Sequence, residues 1–128
     1  MNRAELNKLH TRIFEAASEV YSELGQGLDV QIYHTCFLHE LRLKGLLFKR
    51  DVAFPVYYKD IKTSKEIIVD ILVENQAIVE ILPEREISLL QLHSLQSKLK
   101  ISGKRMGIII TFNAPGVIEG YRKVMNNL

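Results

Sequence analysis

Ile67-Ile68-Val69-Asp70-Ile71-Leu72-Val73 and Ala77-Ile78-Val79-Glu80-Ile81-Leu82, with only Glu74-Asn75-Gln76 between them, are the most apolar stretches of this chain, and each carries one acid. Short Ile- and Val-rich runs around a polar break read as two strands of a hairpin. An unpaired carboxylate is costly to bury and normally finds a cation or takes up a proton, so Asp70 and Glu80 point to a metal site or its remnant. Loop length decides whether they meet, because cross-strand partners share a face and side chains alternate. A two-residue turn would send them to opposite faces. A three-residue turn, Glu74-Asn75-Gln76, sets them directly opposite each other, where two like charges need a cation or proton between them.

Working outward, Leu6, Leu9, Ile13, Phe14, Ala17, Val20, Tyr21 and Leu24 recur at three- and four-residue steps and predict a helix over Ala4–Leu24, stopped by Gly25. A second helix is expected over Val30–Lys44, with Gly45 as its stop. Phe48–Tyr58 then reads as a strand, with Pro55 marking a sheet edge or a bulge, and Thr63-Ser64 as the break before Glu66–Val73. Ser88 is placed to cap a helix running to Ile101, ended by Gly103, and Met106–Phe112 reads as a fourth strand. Strand, helix, strand over Ala77–Phe112 is a βαβ unit, so its two strands should be parallel. Val117–Asn127 is expected to form a short terminal helix. The fold class expected is α/β, one domain over residues 1–128, with a mixed sheet of about four strands flanked by helices.

The composition narrows the rest. At 128 residues and 47% hydrophobic content the chain can bury one core. A net charge of +2 permits nucleic-acid binding without arguing for it. One cysteine, Cys36, excludes an intramolecular disulfide; the polar start Met1–Leu9 is unlike a signal peptide, and the apolar runs are too short to span a bilayer. A cytoplasmic location and no membrane partner are expected. His34, Cys36 and His39 do not all stand three or four apart, as one helical face needs for a shared metal, and Leu43 stands where a zinc-protease motif after His39-Glu40 would need its second histidine.

Mg²⁺ is bound by one or two carboxylates with several waters and suits phosphate chemistry. Strand periodicity puts position 82 on the face of Glu80, where a lysine could orient a water or stabilise developing negative charge. Leu82 can do neither. The alternative is structural, with each acid paired to a cation or capped by backbone N–H groups.

Asp70, then Glu80-x-Leu82, resembles the signature of the PD-(D/E)XK nuclease superfamily with its lysine replaced. Val20-Tyr21-x-Glu23-Leu24-Gly25-x-Gly27-Leu28, Glu40-Leu41-x-x-x-Gly45-Leu46, Pro55-Val56-x-Tyr58, Asp70-x-Leu72-Val73-Glu74 and Gly107-Ile108-Ile109-Ile110-x-Phe112-Asn113 resemble the GxxExxY family of small bacterial proteins. That resemblance implies a nuclease-like α/β core and a cytoplasmic protein. In the motif that names the family, glycine is Gly27 and tyrosine Tyr33, while the glutamate position holds Val30, and Asp29 beside it is out of phase by about 100°. The family's His-x-x-Gln falls on Gln91 and Ser94; moving it onto His93 and Gln96 would slip the helix by two residues. Asp70 and Glu80 thus remain while four neighbouring positions are changed.

Two readings follow. The first, which Leu82 and Val30 at the changed positions favour, is a catalytically inactive nuclease-fold protein, without cofactor, that binds nucleic acid, a protein partner or a second copy of itself. The second is an active Mg²⁺-dependent nuclease in which Asp70 and Glu80 hold the metal and a helix-borne lysine, Lys100 or Lys98, replaces the one absent at Leu82. Activity demands both carboxylates open to solvent with a lysine nitrogen near, whereas a remnant would have Leu82 packed over them. The lysines of Lys59–Lys65 and of Lys98–Arg105 could hold a phosphate backbone if they converge beside the acidic pair.

Overall fold

Local signals at the N-terminus are strong enough to form their helices where the pattern puts them. In the computed structural model, which describes residues 1–126, α1 spans Arg3–Leu24 and opens with a capping box in which Asn2 and Glu5 satisfy each other's backbone N–H. It stops at Gly25, whose φ of +67° suits glycine. Asp29 caps α2 (Val30–Leu43) by accepting from the Gln31 amide. Leu6, Leu9, Ile13, Ala17 and Val20 of α1 and Tyr33, Phe37 and Leu41 of α2 are buried together.

Among the described residues five strands follow: β1 (Phe48–Tyr58), β2 (Ile61–Val73), β3 (Ala77–Leu82), β4 (Met106–Thr111) and β5 (Tyr121–Met125), with α3 (Leu89–Ser102) between β3 and β4. They lie side by side in chain order. β3 and β4 are parallel, as the βαβ pattern requires, and the other pairs are antiparallel. The sheet is therefore mixed. α1 and α2 cover one face, over Ile71, Val73, Val79, Ile81, Ile108 and Ile110. α3 covers the other, where Leu95 and Leu99 pack on Leu72, Ile78 and Ile109. The closest approach there is at Gly107, where a Cβ would lie 2.8 Å from Leu95 side-chain carbons.

Two expectations are corrected. Tyr121–Met125 is a strand, not part of a terminal helix over Val117–Asn127, of which Asn127 lies outside the described residues. β4 is buried along its whole length, so its free edge would bury unpaired amides and carbonyls; β5 supplies their partners, from Ile110↔Tyr121 to Met106↔Met125. The sheet therefore has five strands. β2 also begins at Ile61 and runs straight through Thr63-Ser64, because a two-residue turn at Lys59-Asp60 returns β1 directly into it. Pro55 does sit on an edge strand, beside a register shift between Pro55 and Tyr57.

Candidate nuclease site

The β2–β3 hairpin takes the three-residue register: Val73↔Ala77, Leu72↔Ile78 and Ile71↔Val79 are paired across Glu74-Asn75-Gln76. The next pair along would be Asp70 and Glu80, and there the ladder stops. β3 continues beside β4 to Leu82↔Thr111, whereas β2 leaves with β1, so the sheet forks at the acidic pair. A second distortion lies on the same rung. Asp51, which would face Asp70, has left the β1–β2 ladder with φ of +51°, a conformation aspartate tolerates better than most residues. Beyond it the ribbon exchanges faces: Phe48, Ile71 and Val73 pack toward α1 and α2, but Val52, Phe54 and Val69 pack toward α3.

The fork leaves the Ile81 amide without a backbone partner on β2. Asp70 takes that place, accepting from Ile81 N–H at 3.0 Å through Oδ2. Its other oxygen, Oδ1, accepts from Nε2 of His34 at 2.6 Å. Glu80 shares its strand face with Ile78 and Leu82, the α3 side, and there Lys98 reaches down from α3 with Nζ 3.0 Å from both carboxylate oxygens. The pairs are half-sheltered. Side-chain exposure is 10% for His34, 24% for Asp70, 23% for Lys98 and 14% for Glu80.

These four side chains line one cavity of about 500 Å³, closed at the side by Val30 and Gln31 of α2 and at the end by Leu82 and Pro83, with Arg50 and Asp51 at the β1 rim. The Arg50 guanidinium has no hydrogen-bond or ion-pair partner among the described residues. Leu82 is partly buried against the Leu95 and Leu99 cluster and also lines the cavity, to which both carboxylates are open. Lys98 is thus a cavity residue, while Lys100 is exposed and does not line the cavity.

Three further positions clarify the sequence pattern. Tyr33 is a structural staple: its hydroxyl donates to Gly25 O at 2.6 Å and accepts from Leu28 N–H at 3.1 Å, while its ring stacks on Phe112 at 4.8 Å. Gly27, at φ +99°, donates to Asn113 Oδ1, and Asn113 donates to Pro83 O, which ties the loop after β3 to the α1–α2 loop. Gln91 completes the capping box of α3 with Ser88.

Sequence reading weighed His34 only as a zinc ligand with Cys36 and His39, and gave Arg50 and Asp51 no part in the site. A signal for His34 did exist, since it lies one helical turn beyond Val30 and so on the same face. The same step links Ser94 to Lys98 and would have favoured Lys98 over Lys100.

A Mg²⁺ ion fits this donor set by number and kind, since two carboxylates facing a roomy polar cavity leave the remaining positions to water. No three His, Cys, Asp or Glu side chains among the described residues converge to make an all-protein metal cage. No helix of the described residues is long and apolar enough to cross a membrane.

No curated protein and no solved structure matches the chain. A family model does match, over residues 7–124, from α1 to β5, and with it the chain belongs to the PD-(D/E)XK nuclease superfamily.

Proposed function

We propose that the chain is a Mg²⁺-dependent nuclease in which Lys98 supplies the charge that Leu82 cannot. The observation that carries this reading is the placement of Lys98 Nζ, 3.0 Å from both oxygens of Glu80 and in the same open cavity as Asp70. Position 82 on β3 and position 98 on α3 both address the α3 face of the sheet, so a lysine can move between them and still reach Glu80. This reverses the preference drawn from sequence, where the empty lysine position weighed most.

Asp70 and Glu80 would hold the ion, which when bound supplies charge neutralisation and a more acidic water. The chain's own residues do the rest. Arg50 offers a guanidinium fork for a phosphate at the rim. Lys98 spends two N–H donors on Glu80 and keeps a third for an oxygen of the scissile phosphate, where it would stabilise charge that builds as water attacks phosphorus and a P–O bond breaks to a phosphomonoester and a hydroxyl. His34 and the Ile81 amide fix the orientation of Asp70 from two directions.

A specific observation favours the second reading, a non-cleaving nucleic-acid binder: every oxygen of Asp70 and Glu80 already has a protein donor, and Val30 brings no polar group to the α2 side of the cavity. One experiment separates the two. Mg²⁺ and Mn²⁺ are titrated by calorimetry, with DNA and RNA cleavage followed on the same samples of wild type, Asp70→Asn/Glu80→Gln, Lys98→Met and Lys98→Met/Leu82→Lys. The nuclease reading expects metal-dependent cleavage that is lost in the first two variants and partly restored in the last. No metal uptake and no cleavage by folded wild type would give the site to binding alone.

A further inference from the structure

Because the β2–β3 ladder ends at Ile71↔Val79, the β1–β2 ribbon beyond Val52↔Val69 continues without a third strand among the described residues. A two-stranded ribbon is marginal in water by itself, and this one presents aromatic side chains to solvent. Tyr57 and Tyr58 are 61% and 65% exposed at its tip. Tyr57 is paired with Lys62 across the ribbon, Tyr58 with Ile61, and Lys59 Nζ lies 5.5 Å from the centre of the Tyr58 ring. Lys65 follows within the register shift. The ribbon's base is the cavity itself, since Arg50, Asp51 and Asp70 belong to these two strands.

We propose that this ribbon is an arm that holds single-stranded nucleic acid leading out of the cavity, Tyr57 and Tyr58 stacking on bases and Lys59, Lys62 and Lys65 meeting phosphates. The proposal rests on the phosphodiester reading of the cavity and deepens it by naming the substrate class. Interleaved aromatics and cations are what a strand without base pairing needs, because every base offers a face and every nucleotide a charge. The other natural occupant of a bare ribbon edge is a second copy of the chain. Lysines along an edge oppose such strand addition and attract a polyanion instead. From Asp51 to Tyr58 the ribbon covers about 23 Å at about 3.3 Å per residue. The arm thus reaches several nucleotides from the acidic pair.

The test uses the full chain carrying Asp70→Asn/Glu80→Gln, in EDTA, with a fluorescently labelled 20-nucleotide single strand and the matching duplex, followed by anisotropy across a salt series. Replacing Lys59, Lys62 and Lys65 by Gln should flatten the log–log salt dependence for single strand by about 2, from about 0.7 per phosphate contact. Tyr57→Ala/Tyr58→Ala should weaken single-strand binding about tenfold or more with the salt slope unchanged. Circular dichroism and sedimentation accompany each variant. An unchanged slope in the folded lysine variant, no binding by the parent, or equal loss of duplex and single strand in the tyrosine variant would overturn the arm. So would a dimer that the arm substitutions dissolve, which would assign the ribbon to a second copy. Failure of the nuclease reading is seen separately, as arm-dependent binding without cleavage once the native acids and Mg²⁺ are restored.

Discussion

Lys98→Met removes the one cation among the described residues within hydrogen-bond reach of Glu80. Glu80 then keeps its charge at 14% exposure, in a cavity that also holds Asp70. A fully exposed pair would contribute about 0–1 kcal/mol, but this one is largely sheltered and its ammonium bonds both carboxylate oxygens. The scale for a charge-assisted hydrogen bond, about 1.5–3 kcal/mol, applies. The single substitution should therefore cost about 2 kcal/mol in urea unfolding at pH 7. Glu80→Gln, which keeps an acceptor and removes the charge, should cost about 1 kcal/mol. With both changed neither partner is left stranded, and the double variant should lose only about 1 kcal/mol, for a coupling of about 2 kcal/mol. A coupling below about 0.5 kcal/mol would refute the reasoning, because Lys98 would then be an ordinary solvated charge and no substitute for a lysine at position 82.

His34→Ala leaves Asp70 Oδ1 without its donor and should cost about 1–2 kcal/mol by urea unfolding, with His34→Gln, which still presents an N–H, recovering part. His10 has its pKa lowered by burial and by Lys123, so the unfolded chain binds its proton more readily; stability should decline as pH falls through about 6.5, and His10→Gln should flatten that part of the pH–stability curve measured by thermal unfolding. Gly120→Ala would put a Cβ 2.1 Å from the Thr111 carbonyl oxygen, which is backbone and cannot turn aside, so β5 should detach or the chain lose about 2 kcal/mol or more, read by hydrogen exchange at Arg122 and Val124.

Much of the fold was legible because its signals are local. Asn2, Asp29 and Ser88 cap the three helices, Gly25 and Gly103 follow two of them, and the strand over Phe48–Tyr58 begins and ends where its residues change character. The last strand was not legible. Val117–Met125 has the apolar spacing of a helix, and only the bare edge of a buried β4 makes Tyr121–Met125 extended. Thr63-Ser64 misled in a related way: two small polar residues look like a turn, yet the turn lies at Lys59-Asp60 and the ribbon carries Thr63-Ser64 as part of an exposed strand.

At the site the division is sharper. Sequence alone placed Asp70 and Glu80 on neighbouring strands but left a two- or a three-residue turn open; the pairing Ile71↔Val79 fixes the three-residue register. Sequence also determined that β3 and β4 run parallel, because a helix of 14 residues separates them. Only the tertiary structure decided what the acids meet. The ladder breaks at their rung, so Asp70 turns to the Ile81 amide; His34 arrives from 36 residues away and Lys98 from 18 residues beyond Glu80. Those meetings depend on how α2 and α3 settle on opposite faces of a forked sheet. Hydrophobic packing sets that geometry, and no spacing within one strand or helix records it.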